Sequence, residues 1–144
     1  MARRADSDEH YVIDLCDAIL GLTASRQHRF DWLRGDPSPS RPSGTTLPVD
    51  AFYEELGLVV EYAERQHDEA VVFFDKPDRM TVSGVHRGLQ RALYDQRRRD
   101  LIPEHGLRLL TIAAADLDHD TRGRLRRNTE ADRFVIEAML ASGK

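Results

Sequence analysis

The feature that most constrains the fold is a pair of short, β-prone apolar runs within residues 47–67, joined at Leu56-Gly57. Each run carries one carboxylate, Asp50 in the first and Glu61 in the second. Two strands with so short a connection pair with each other, and their acids then lie on neighbouring strands. Acids placed in this way are within reach of one divalent cation. The segment therefore predicts a β-hairpin with two converging carboxylates.

Length and composition are those of one ordinary globular domain. The chain has 144 residues, 40% hydrophobic and 32% charged. A chain of this size and composition can form a buried core without disulfides or structural metals. We expect a single domain over residues 1–144, with a mobile surface loop at about 35–45 that contains three of the six prolines. The sequence has neither an apolar run of about 18 residues nor a signal-peptide apolar region. Its single Cys16 excludes an internal disulfide, so we expect a cytoplasmic protein without membrane contact.

Charge and motifs narrow the function classes. The net charge is −4, yet the 21 basic residues are nearly all arginine, and they cluster within 87–99 and 122–127. Because the distribution of charge matters more than its sum, nucleic-acid binding is not excluded. The sequence contains no Gly-X-Ser-X-Gly turn and no glycine-rich phosphate loop. These absences argue against a serine hydrolase and against nucleotide-driven chemistry.

Apolar periodicity predicts an α/β domain in the order helix, strand, strand, strand, helix, strand, helix. The last strand follows a long helix, so it should lie parallel to one hairpin strand through a right-handed crossover, in a mixed sheet flanked by helices. Gly106 suits a left-handed helix end, and Thr129 is expected to cap the last helix. We predict helices over 8–21, 85–103 and 129–141, strands over 27–34, 46–54, 57–64 and 107–113, strand-like residues at 70–74, and an inward face of the last helix formed by Phe134, Val135, Ala138, Met139 and Leu140.

This order, with one acid on the second strand and one on the third, resembles the PD-(D/E)XK nuclease superfamily, which has the restriction-endonuclease-like fold. The branch that it resembles is the one around the very-short-patch repair endonucleases. In that branch a glutamate ends an apolar strand, a histidine follows, a helix carries Asp and Arg, and a "Gly, apolar, basic, apolar" pattern enters the last strand. The similarity covers roughly residues 46–113 and rests on Val59-Val60-Glu61, His67, Tyr94-Asp95-Gln96-Arg97-Arg98-Arg99 and His105-Gly106-Leu107-Arg108-Leu109-Leu110.

The resemblance implies a Mg²⁺- or Mn²⁺-dependent endodeoxyribonuclease in repair, restriction or mobile-element processing, acting as a homodimer or within a larger complex. Asp50 and Glu61 would bind the metal. Glu64 or Gln66 would orient the attacking water or hold a second cation. DNA is the implied partner, and its phosphates would be contacted from the long helix by Arg87, Gln90, Arg91, Tyr94 and Arg98.

One position departs from the family pattern. The residue two after the acid of the third strand is usually lysine, which stabilises charge in the transition state, and here it is Ala63. A bulge between residues 61 and 64 would bring Glu64 and Gln66 into the site. In a regular strand, Arg65 or Gln66 would take the lysine's role instead. The third interpretation is a domain that has lost catalysis and serves as a nucleic-acid-binding or scaffold domain of the same fold.

Overall fold

A computed structural model describes residues 7–64 and 82–142, with the side chains of the second range given from residue 87 onward. The predicted strand at 70–74, together with Arg65, Gln66 and His67, lies outside the described residues. Short 3₁₀ turns follow two of the strands, at Glu54–Leu56 and Ala114–Asp116. The helices and strands are α1 (Asp8–Leu20), β1 (Ser25–Arg34), β2 (Thr46–Tyr53), β3 (Leu58–Ala63), α2 (Val82–Glu104), β4 (Arg108–Ala113) and α3 (Thr129–Ser142).

The four strands form one mixed sheet in the order β1-β2-β3-β4. β1 and β2 pair antiparallel, and so do β2 and β3. β4 returns after α2 and pairs parallel to β3, in an unbroken register from Leu58↔Arg108 to Ala63↔Ala113. The predicted α/β class, mixed sheet and parallel last strand are confirmed.

The two faces of the sheet are covered by different helices. On one face, α1 and α3 pack on the sheet through a cluster that includes Val12, Cys16 and Ile136. On the other face, Ile102 of α2 packs against Val59. In the two described ranges, no helix is long and apolar enough to cross a membrane.

Glycines lie at the end of α1 and in the α2–β4 connection, the second of them as the sequence predicts. Gly21 has φ 67°, and its N–H donates to the carbonyl of Asp17 at the end of α1. Gly106 has φ 78°, and its N–H donates to the carbonyl of Pro103. Both backbones are left-handed, a conformation that glycine adopts without steric cost.

The predictions for α3 need two corrections. Asn128, rather than Thr129, caps the helix, since its side-chain oxygen accepts from the N–H of Ala131 at 3.3 Å. The predicted inward face is confirmed at Leu140, which is buried, and at Val135 and Met139, which pack against the core. It is wrong at Phe134, which is 77% exposed, and at Ala138, which is exposed as well. Asp132 is buried and hydrogen-bonded. The residues four and eight positions later lie on the same side of the helix. The buried residues of α3 are Asp132, Ile136 and Leu140.

Candidate metal centre and nucleic-acid interface

The two predicted acids meet where the β2–β3 hairpin ends. Backbone pairing runs as far as Ala51↔Val60, and the next pair in that register is Asp50 and Glu61. At this pair, backbone N–H groups donate to side-chain carboxylates instead of to backbone carbonyls. The N–H of Asp50 donates to Glu61 Oε2 at 2.8 Å, and the N–H of Tyr62 donates to Asp50 Oδ2 at 2.7 Å. The predicted hairpin is confirmed, with Asp50 and Glu61 opposite each other on adjacent strands.

The pair is short of positive charge. The side chain of Glu61 is only 18% exposed, and burial is the largest cause of its raised pKa. The charge of Asp50 adds to this, and together they raise the pKa of Glu61 to about 8. Two like charges that share a buried site cannot both ionise at neutral pH without compensation. The geometry therefore favours a proton, or a bound cation, at this point of the sheet.

Arg98 brings a guanidinium to the pair from α2. Its Nε lies 3.5 Å from Glu61 Oε1, and its side chain is 16% exposed. Three other contacts fix it: Nε and Nη2 donate to the carbonyl of Pro48 at 3.2 and 3.1 Å, and Nη1 donates to Asp95 at 3.0 Å. Arg98 lowers the pKa of Glu61 but does not cancel the effects of burial and Asp50. A planar guanidinium held in this way is pre-oriented toward an anion.

Two further polar residues, Gln27 and Glu9, complete the site. No sequence pattern indicated either of them. Gln27 of β1 has its Nε2 3.5 Å from Asp50 Oδ1, and the same nitrogen donates to Glu9 Oε2 at 2.8 Å. An acid in the first turn of a helix ordinarily complements the helix dipole, and a glutamine in a strand carries no spacing signal. Only the register of β1 against β2 could have placed Gln27 opposite Asp50.

The donor set suits one kind of cation. Among residues 7–64 and 82–142, no group of three or more His, Cys, Asp or Glu side chains is placed to hold a metal ion. At the end of the hairpin, Asp50 and Glu61 supply hard carboxylate oxygens. Mg²⁺ is commonly bound by one or two carboxylates together with waters and substrate phosphates, whereas zinc and calcium sites use more protein ligands. The residues present therefore fit Mg²⁺ or Mn²⁺.

Glu64 does not belong to this site. The β3–β4 register is regular through Ala63↔Ala113, and the bulge that would bring Glu64 beside Glu61 does not occur in this ladder. Glu64 is exposed. Its charge acts instead on Tyr62, whose pKa is raised first by burial and then by Asp8 and Glu64. The expectation that Glu64 shares the site is wrong, because regular alternation places Glu61 and Ala63 on one face of β3.

The five residues predicted to contact DNA come together on α2. They line one surface depression, and one of them, Arg98, also lies 3.5 Å from Glu61. Arg87, Gln90 and Arg91, which lie nearer the N-terminal end of α2, have exposed side chains. The residues that line it are Arg87, Gln90, Arg91, Tyr94 and Arg98.

The loop after β1 lies against one side of this depression. Tyr94 Oη accepts hydrogen bonds from the N–H of Asp36 at 2.9 Å and from Gln90 at 3.3 Å. A Cβ at Gly35 would lie 2.8 Å from Tyr94 Oη, so any larger residue at this position would require the Tyr94 ring to shift. Arg97 of α2 bonds Asp36 at 2.9 Å. The loop expected at about 35–45 is thus hydrogen-bonded to α2.

No protein-family profile, curated protein or solved structure matches the chain. Residues 7–64 and 82–142 show the class of fold, an α/β domain whose four described strands form a mixed sheet.

Proposed function

We propose that this protein is a divalent-metal-dependent endodeoxyribonuclease with the restriction-endonuclease-like fold. The observation that carries the proposal is the meeting of three charged groups beside an arginine-lined depression. Asp50 and Glu61 converge with an excess of negative charge, and Arg98 joins them to the depression on α2. A charge-deficient acid pair suits a cation, and neighbouring arginines suit the phosphates of the substrate.

The proposal gives each group a separate task. Asp50 and Glu61 hold Mg²⁺ or Mn²⁺, which when bound polarises the scissile phosphate and acidifies a water molecule. Arg98 stabilises negative charge on the phosphate in the transition state, which is the role of the lysine missing at Ala63. Its fixed contacts with Pro48 and Asp95 reduce the reorganisation needed for that task.

The depression supplies binding rather than chemistry. Arg87 and Arg91 are exposed and suit contact with the phosphate backbone, a contact that carries no sequence information. Affinity for DNA should therefore fall steeply with salt, and replacing either arginine by glutamine should reduce the salt slope by about one phosphate contact. Affinity measured by fluorescence anisotropy at several salt concentrations tests this expectation.

The deciding experiment combines metal binding with cleavage. Calorimetry with Mn²⁺ and a cleavage assay on plasmid, linear and single-stranded DNA are performed on the wild type, Glu61→Gln and Glu64→Gln. We expect Glu61→Gln to lose both activities and Glu64→Gln to retain them, since Glu64 lies just beyond the same strand but outside the site. Equal behaviour of the two variants, or a wild type that neither binds Mn²⁺ nor cleaves, contradicts the proposal.

A second candidate function is a nucleic-acid-binding or scaffold domain without catalysis. Two observations favour it: lysine is replaced by Ala63, and each carboxylate already accepts a backbone N–H. In this alternative the acids simply satisfy amides where β2 and β3 separate. DNA binding without Mn²⁺ binding would support it.

A further inference from the structure

Gln27, whose side chain lies 3.5 Å from Asp50, has a strained backbone. Its φ is 51°, a left-handed conformation that is uncommon for any residue except glycine and, to a lesser extent, asparagine and aspartate. Gln27 lies within β1 rather than in a turn. In the β1–β2 register, where Arg26 pairs with Ala51, the residue opposite Gln27 is Asp50.

β2 departs from regular geometry at the same pair. Val49 packs in the cluster beneath α2, whereas Ala51 packs in the cluster beneath α1 and α3. Residues two apart in a regular strand share a face. The change of face therefore falls at Asp50, and both strands are irregular where Gln27 and Asp50 oppose each other. Strained residues of this kind persist where the surrounding structure holds them, and they concentrate at functional sites.

The side chain of Gln27 uses this position to link two acids. Its Nε2 donates to Glu9 Oε2 at 2.8 Å and lies 3.5 Å from Asp50 Oδ1. The other carboxylate oxygen of Asp50, Oδ2, accepts the N–H of Tyr62. Asp50 is therefore contacted from β3 at one oxygen and from β1 at the other.

We propose that Gln27 is a positioning residue, whose amide sets the orientation of Asp50 and couples it to Glu9 on α1. The inference rests on the proposed function in one respect, the assignment of Asp50 as a metal ligand. Groups that orient metal ligands typically change metal affinity or activity by roughly 10- to 100-fold when they are removed. A residue whose strained backbone served only the packing of β1 would have no such effect.

The chain offers a matched control for this test. Arg127 is the second non-glycine residue with a positive φ within the described ranges, at 54°, and its guanidinium bonds Asp8 rather than the acid pair. The variants are Gln27→Asn and Arg127→Asn. Asparagine tolerates the left-handed backbone, and at position 27 its amide is one methylene too short to span Glu9 and Asp50.

We expect Gln27→Asn to weaken Mn²⁺ binding roughly tenfold in calorimetry and to lower kcat with little change in KM. Its melting temperature should stay near that of the wild type. Without metal, the amide of Tyr62 should exchange hydrogen faster relative to the other amides of β3, because its acceptor on Asp50 has become mobile. Arg127→Asn should leave Mn²⁺ affinity and kcat unchanged.

Two different failures are distinguishable. If the wild type binds Mn²⁺ and Gln27→Asn binds it within twofold as tightly, the role of Gln27 is refuted while the proposed function stands. If the wild type binds no Mn²⁺ and cleaves no DNA, the proposed function fails. The exchange of the Tyr62 amide then decides the inference alone: faster exchange in Gln27→Asn supports positioning of Asp50, and unchanged exchange overturns it.

Discussion

Two acids are withdrawn from solvent on opposite sides of this sheet, and their surroundings differ. Asp132 of α3 is fully buried, and each of its oxygens has a donor: the hydroxyl of Tyr11 at 2.6 Å and the N–H of Asp118 at 2.9 Å. Glu61 is 18% exposed, and its nearest charged neighbours are a second acid and one arginine. The less buried acid is the one that shares its site with a second acid. Burial alone therefore does not mark a functional site.

The protonation behaviour of the two regions also differs. Burial first, and then the hydrogen bond to Asp132, raises the pKa of Tyr11 to about 12. The phenol therefore remains a donor across the physiological pH range, and this contact between α1 and α3 is constant. The pKa of Glu61, raised to about 8, lies near neutrality. A site that takes up and releases a proton or a cation under working conditions is suited to chemistry.

The largest expected effect tests this difference directly. Asp50→Asn should reduce cleavage by more than about a hundredfold, since it removes a proposed metal ligand and not merely an orienting group. The melting temperature in metal-free buffer should stay the same or rise, because the repulsion with Glu61 is relieved. A melting temperature that falls strongly, with activity per folded molecule intact, would assign Asp50 a structural role like that of Asp132.

Arg98 gives the next largest effect. Arg98→Ala should lower kcat by about 100-fold, the lower end of the range seen when one transition-state donor is removed. Arg98→Lys should recover only part of this, since an ammonium cannot reproduce the contacts with Pro48, Asp95 and Glu61 at once. Steady-state kinetics on both variants measures it, with Arg99→Ala as a control on the exposed side of the same helix. Full activity in Arg98→Ala would remove Arg98 from the proposed mechanism.

Asp132→Ala should act only on stability. It leaves the hydroxyl of Tyr11 and the N–H of Asp118 without their acceptor, at a cost of about 1–3 kcal/mol per buried group that loses its partner. Chemical denaturation reports the loss, and kcat measured on the folded fraction should not change. A drop in kcat without a loss of stability would mean that the two faces of the sheet are coupled and that Asp132 is not purely structural.

The sequence was sufficient for the sheet, the hairpin and the meeting of Asp50 with Glu61, because alternation and a short connection determine the register. It was also sufficient for the arginine-lined face of α2, which follows from helical spacing. It predicted Leu140 on the buried face of α3 but not Asp132, because apolar periodicity does not place a carboxylate in a core. Nor did it predict Gln27, whose place depends on pairing with a strand that lies more than twenty residues along the chain.

The smallest effect concerns pH and depends on sign. Because the folded-state pKa of Glu61 lies above its ordinary value of 4.5, at about 8, the folded protein binds a proton that the unfolded chain releases between these values. The free energy of unfolding should therefore fall as pH rises through this window, by roughly 1 kcal/mol per pH unit from this group, and level off above it.

Glu61→Gln should flatten that slope, while Glu64→Gln should keep it. Saturating Mn²⁺ should flatten it too if the cation replaces the proton. The measurement is denaturant unfolding at several pH values for the three proteins. Equal slopes in the wild type and Glu61→Gln would mean that Glu61 takes up no proton on folding in this range, and the contrast between the two sides of the sheet would be lost.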